Sequence, residues 1–154
     1  MNSNQGSVDQ ESVLLTKKGA IMAQNNDNYC FACGEENPIG LHLKFEKVDD
    51  KITATKNLAR EYEGYEGAAH GGIVATMLDE AMCAFIKYFY NEQAMTGRLE
   101  IRYRHPTPIE QDLTISAWQE SQRRNIITMR STVTAVDGVV TAEATAKFAV
   151  VSLQ

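Results

Sequence analysis

No Gly-x-Ser-x-Gly elbow occurs anywhere in the chain, which argues against a serine hydrolase of that kind. There is no basic excess either. The formal net charge is −5, whereas a phosphate backbone selects a basic surface, so nucleic acid is not expected as a partner. Long apolar runs are missing as well. Residues 1–28 are polar and lack the greasy core of a signal peptide. The longest apolar stretch, Ile73 to Tyr90, is broken by Asp79, Glu80 and Lys87 and reads as a core helix, not a membrane span. The three cysteines include one C-x-x-C, Cys30 and Cys33. No second C-x-x-C or H-x-x-x-H accompanies it, so no metal is expected. Reduced thiols and a cytoplasmic location follow from the lack of an export signal. No internal repeat or low-complexity tract is present.

What remains is ordinary globular material. Hydrophobic residues make up 44% and charged residues 23% of 154 positions, enough for one domain with a core that needs no staples. Residues 1–28 form a polar leader with a weak helical patch from Val13 to Met22, and residues 29–154 form the single domain. Leu41 to Glu46 alternates apolar with polar and predicts a half-buried strand. Asp49-Asp50 turns the chain, and Lys51 to Lys56 returns as the second arm of a hairpin.

A long helix then runs to about Tyr90. Val74, Met77, Leu78, Ala81, Phe85 and Phe89 recur at helical spacing. Ile73, Met82, Cys83 and Ile86 widen the stripe, predicting burial on nearly every side. Strands follow. Leu99, Ile101 and Tyr103 alternate with Glu100, Arg102 and Arg104, and Leu113, Ile115 and Ala117 alternate next. A turn at Gln122 to Asn125 leads to Ile127, Met129, Ser131 and Val133. Asp137-Gly138 is a hairpin signal, and Val139 to Val151 predicts a last strand. The order is hairpin, helix, then antiparallel meander. An α+β fold follows, with a curved sheet wrapped around the helix.

The richest stretch is His70-Gly71-Gly72 opening that helix, with Asp79 and Glu80 in its third turn. A helix start leaves N–H groups without intrahelical partners, and glycine lets another group come close, which suits a developing oxyanion. A carboxylate inside a greasy helix is costly unless paired, solvated or used. Asp79 can serve as general base for water or attack a carbonyl directly. Of the two acids Asp79 is the catalytic candidate, and Glu80 reads as a structural neighbour. Gly72 and Asp79 are seven residues apart, roughly 10 Å at about 1.5 Å per residue. That is too far for one helix to place both at one carbonyl, so a site built from two protomers is expected.

Two phrases, His70-Gly71-Gly72…Leu78-Asp79-Glu80-Ala81 and Cys30-Phe31-Ala32-Cys33-Gly34…Asn37-Pro38-Ile39-Gly40-Leu41, resemble the hotdog-fold thioesterase superfamily. Within it the chain resembles the phenylacetyl-CoA-thioesterase-like branch. The resemblance spans roughly residues 29 to 152. It implies a hotdog fold of about six strands around one central helix, and an acyl-CoA thioesterase that forms a homodimer or homotetramer with sites at the interface. By it Asp79 maps to the catalytic acid, and His70, Gly71 and Gly72 map to the oxyanion-binding turn. Thr96 maps to a hydroxyl that helps place the water. Cys30 and Cys33 pack a loop beside the first strand. The substrate-binding candidates are Asn37, within the second phrase, and Arg102, Arg104, Arg123 and Arg124, whose guanidinium forks suit coenzyme A phosphates. No cofactor is implied, coenzyme A being part of the substrate. A hotdog protein that binds acyl-CoA without hydrolysis, or a hotdog hydratase or dehydratase, are the alternatives.

Overall fold

The computed structural model describes residues 14–15, 21–22 and 27–150. Two-residue strands β1 (Leu14–Leu15) and β2 (Ile21–Met22) pair antiparallel. These four positions are therefore not helical, contrary to the expected patch, which was too short to hold a helix without packing. Residues 1–13, 16–20 and 23–26 of the leader, and Val151 at the end of the last expected strand, lie outside the described residues.

The domain consists of β3 (Glu46–Val48), β4 (Lys51–Asn57), helix α1 (Gly71–Tyr90), β5 (Ala94–Tyr103), β6 (Asp112–Arg123), β7 (Ile126–Thr134) and β8 (Val140–Val150). The six strands form one antiparallel sheet in the order β3-β4-β6-β7-β8-β5, and α1 lies on one face of it. This is the hotdog arrangement.

Two expectations about the strands need correction. The meander holds only for β6, β7 and β8: β5 pairs with β8, and β6 pairs with β4. The segment 104–111, with Pro106 and Pro108, carries the chain from one side of the sheet to the other. Leu41 to Phe45 is not a strand either. Leu41 and Leu43 are buried and alternate with exposed His42 and Lys44, as the pattern requires. Their N–H groups, however, bond the carbonyls of Phe31 (2.8 Å) and Ala32 (2.9 Å) in the cysteine loop, and His42 sits at φ 52°. Side-chain alternation survives there without a sheet partner.

The helix sits close to the sheet because the row beneath it is small. In register across the strands run Ile52, Ala117, Ser131, Ala144 and Ile101. Ala117, Ser131 and Ala144 bring little bulk to the middle of that row, and all three are buried. Larger Ile115, Met129, Val133 and Phe148 flank it and fill the space on either side of the helix. Ser131 uses the close approach: its Oγ donates to the Leu78 carbonyl of α1 at 3.1 Å. Against the buried residues Val74, Met77, Leu78, Ala81, Met82, Phe85 and Ile86, the opposite side of α1 stays half-open. Asp79, Glu80, Cys83 and Lys87 are only partly covered there, so the helix is not buried on nearly every side.

Overfilling this row should be more damaging than emptying it. Ser131→Ala removes a hydrogen bond from an acceptor that the helix also serves, and is expected to lower the unfolding free energy by about 1 kcal/mol. Ser131→Leu forces the helix outward and should cost about 2–3 kcal/mol. Chemical denaturation of the two variants measures the difference, and equal losses would rule out the close approach as the constraint.

Candidate functional site

Helix α1 begins with its own cap. His70, at φ −57° and ψ 134°, is the N-cap residue, and its Nδ1 accepts the Gly72 N–H at 2.9 Å. The His70 carbonyl accepts the N–H groups of Ile73 (2.9 Å) and Val74 (3.1 Å). Of the first four helical N–H groups, that of Gly71 therefore has no acceptor among the described residues. His70 thus shapes the turn, and its ring occupies one of the two glycine donors. The Tyr103 hydroxyl donates to the Gly71 carbonyl at 2.8 Å and ties β5 to the helix start. A Cβ on Gly71 would lie 3.6 Å from the Tyr103 ring, in ordinary contact.

Two turns along, Asp79 is half-buried on the open side of α1, and the Thr96 hydroxyl donates to its Oδ1 at 2.8 Å. Strict alternation would forbid that pairing. Leu99, Ile101 and Tyr103 oppose Ala146, Ala144 and Ala142, on the helix side of the sheet. Counting back in twos from Leu99 puts Gly97 on the helix side and Thr96 on the outer side. A β-bulge between Thr96 and Arg98 reverses the count, so that Thr96 opposes buried Phe148 and faces the helix. Gly97 is the extra residue. The only clue in the sequence was a glycine inside a strand pattern.

The remaining candidates are scattered. Asn37 is buried in the loop before β3. Its Nδ2 donates to the Tyr29 carbonyl (3.2 Å) and its Oδ1 accepts the Ile39 N–H (3.1 Å), so both ends of the amide hold the loop. Arg104 donates to Glu143 at 2.8 Å on the outer face of the sheet. That hydrogen bond, with the Arg104, Arg130 and Arg102 charges, holds the Glu143 carboxyl below the usual carboxylate range despite some desolvation. Arg130 completes this outer cluster and was missed in the sequence, where it stands alone in β7. Arg123 and Arg124 are at the β6–β7 turn, beside the sheet end where Ile126 opposes Ala149. Six residues of β8 separate that end from Glu143, roughly 20 Å of strand. The arginines therefore form two groups, not one patch.

A groove of about 700 Å³ follows the open side of α1 toward its C-terminal half, between the cysteine loop and the start of β5. Its walls include Leu43, Phe45, Ala84, Tyr88 and Met95, with Lys44 and Lys87 at the rim. Cys83 faces it, and burial, followed by the charges of Asp79 and Glu80, pushes the Cys83 thiol up to about 12. At pH 8 it is almost entirely protonated. Alkylation of Cys83 by iodoacetamide should accordingly be far slower than that of a free thiol, and Asp79→Asn should speed it by removing one of the raising charges. A Cys83 that reacts at the free-thiol rate in the folded chain would contradict this environment.

No helix among the described residues is long and apolar enough to cross a membrane. No curated protein matches the chain. Among solved structures, a thioesterase superfamily protein superposes with a TM-score of 0.74 at 27% identity, over 79% of this chain and 60% of its own. The chain thus spans about 60% of that relative's length. A hypothetical thioesterase from Streptococcus pneumoniae, solved with coenzyme A, has a TM-score of 0.64 at 24% identity, over 70% of this chain and 87% of its own. A Streptococcus mutans protein bound to acetyl-CoA gives 0.64 at 21%, over 70% and 87%. At these lower identities the likeness is one of fold. The thioesterase superfamily profile itself matches residues 66–142, from the loop before His70 to the first residues of β8, and the chain belongs to the thioesterase superfamily.

Proposed function

We propose that the chain hydrolyses an acyl-CoA thioester to the free acid and coenzyme A. The observation that carries this reading is the Thr96–Asp79 pair at 2.8 Å, on the open side of a helix whose first N–H has no acceptor among the described residues. Thr96 holds one carboxylate oxygen and fixes the plane of the group, leaving the other for a water or for the substrate. As general base, Asp79 takes a proton from water as its oxygen adds to the thioester carbonyl. The C–S bond then breaks, and the departing thiolate receives a proton. As nucleophile, Asp79 forms an acyl anhydride and expels the thiolate, and water cleaves the anhydride afterwards. The growing negative charge on the carbonyl oxygen falls to the helix N-terminus, chiefly the Gly71 N–H, with Gly72 joining when the His70 ring swings away.

Coenzyme A bound to the Streptococcus pneumoniae protein and acetyl-CoA bound to the Streptococcus mutans protein support the substrate class. The former protein has also been crystallised with an aspartate and with a threonine replaced by alanine, the two residue types paired here. The groove beside α1 takes the acyl end, and Arg123 and Arg124 are the candidates for coenzyme A phosphates.

Gly71 and Asp79 are about 12 Å apart along the helix at roughly 1.5 Å per residue, so one carbonyl meets the donor of one protomer and the carboxylate of another. The edge of the sheet favours a second copy here. β5 has ten residues, no strand on its outer side among the described residues, and exposed Met95 (65%), Leu99 (36%) and Tyr103 (53%). An edge of that length and apolarity is ordinarily covered, and a self-complementary pairing closes it.

Thiol release from a panel of acyl-CoA esters tests the activity. Asp79→Asn and Asp79→Ala should lower kcat by about 10²–10⁴-fold, the usual worth of a positioned acid or base. Deleting Gly97 should be as harmful as Thr96→Val, because removing the bulge turns Thr96 outward; circular dichroism shows whether the deletion variant is folded. Arg123→Ala should raise KM more than it lowers kcat. Undiminished turnover in Asp79→Ala would remove that residue from the mechanism. Tight binding of coenzyme A esters without turnover would favour a binding protein. Sedimentation should give a dimer or larger assembly, and an active monomer would end the shared-site reading.

A further inference from the structure

The C-x-x-C of the leading loop lacked partners along the sequence, but the fold supplies one. Cys30 Sγ lies 3.9 Å from Glu80 Oε2 of α1, and one ligand atom each from Cys30, Cys33 and Glu80 lie within 4.8 Å of one another. All three residues are half-buried, and all line the groove. The loop is built to keep this geometry. The Gly34 N–H closes it onto the Cys30 carbonyl at 2.8 Å, and Glu36 N–H bonds the Asn28 carbonyl at 2.9 Å. A Cβ on Gly34 would strike the Asn28 oxygen and the Cys30 nitrogen at 2.4 Å, so the turn that brings the thiols together requires glycine.

We propose that Cys30, Cys33 and Glu80 bind a thiophilic divalent cation, zinc being the natural occupant, and that the ion clamps the cysteine loop to the helix. Two sulfurs and a carboxylate oxygen are a borderline-soft donor set that suits zinc over magnesium or calcium. Tetrahedral zinc, with Zn–S about 2.3 Å and Zn–O about 2.0 Å, places its ligand atoms roughly 3.5–3.8 Å apart. From spacings within 4.8 Å the cluster needs to contract by at most about 1.3 Å, a movement within reach of side-chain rotation. Binding exchanges the two thiol protons for the metal and releases them to solvent, while Glu80 enters as a carboxylate. The fourth position faces the groove and is filled by water or by Cys83, which lies one turn from Glu80 on the same side of α1. None of this depends on thioester hydrolysis, and the site is separate from Asp79 even though the two acids are adjacent.

The test uses the full chain, reduced and freed of metal with a chelator. Titration with cobalt(II) should give thiolate-to-metal charge-transfer absorption and the visible bands of a tetrahedral ion, saturating at one ion per chain. Zinc should displace the cobalt, raise the melting temperature, and protect two thiols from a disulfide reagent, or three if Cys83 is the fourth ligand. Magnesium should do none of these. Cys30→Ser and Cys33→Ser should lose the charge-transfer band, and Glu80→Gln should weaken binding while Cys83→Ala retains it. The wild-type titration stands even if a variant fails to fold. An octahedral or absent cobalt spectrum, full thiol reactivity under zinc, equal protection by magnesium, or an air-formed Cys30–Cys33 disulfide in a chain that binds no cobalt when reduced would each overturn the proposal.

Discussion

The close approach of α1 to the sheet governs the rest of the molecule. Gly71, Asp79, Glu80 and Cys83 are all carried by that one helix, so its height above the strands decides what can reach them. Alanine at 117 and 144 and serine at 131 set that height. Ser131 adds direction, because its hydroxyl holds the carbonyl of Leu78, the residue immediately before Asp79. The core therefore does more than bury area. It fixes the turn of helix that carries the acid, and it does so with a short polar side chain where a larger apolar one would bury more surface but lift the helix.

Much of this architecture was legible in the sequence because periodicity survives folding. The helix starts within two residues of where its apolar pattern begins, and β6, β7 and β8 follow their alternation closely. Pairing was less legible. Which strand β5 joins is decided by how the segment through Pro106 and Pro108 crosses the sheet, and side-chain alternation is silent on that choice. Leu41 to Phe45 shows the reverse case, with correct alternation and no sheet ladder, because the cysteine loop takes the backbone bonds a strand would have made.

The candidate site divides in the same way. The helix start and Asp79 could be marked out from residue type and spacing. The meeting of Asp79 with Thr96 could not follow from spacing alone, since the alternation of Leu99, Ile101 and Tyr103 points Thr96 the wrong way. A single inserted residue, Gly97, changes the sign of that conclusion. Glu80 is the complementary lesson. It looked like a bystander because its partners, Cys30 and Cys33, are some fifty residues away and only the fold brings them within reach. Local pattern reports which faces are buried; it is blind to bulges and to loops that return onto a helix.

Strand β5 ties these pieces into one mechanical unit. It touches α1 at two places, through Tyr103 at the Gly71 carbonyl and through Thr96 at Asp79, and its first residues form a wall of the groove. Among the described residues the strand is bonded on one side only, so its position is less constrained than that of any interior strand. A shift of β5 would loosen the helix start and the carboxylate together, since the two contacts share one backbone. A chain paired to the outer edge of β5 would therefore stiffen both contacts at once. The physical case for a second chain at that edge rests on this shared backbone as much as on the exposed apolar side chains, because pairing there would order the very strand that aligns Asp79 with its threonine.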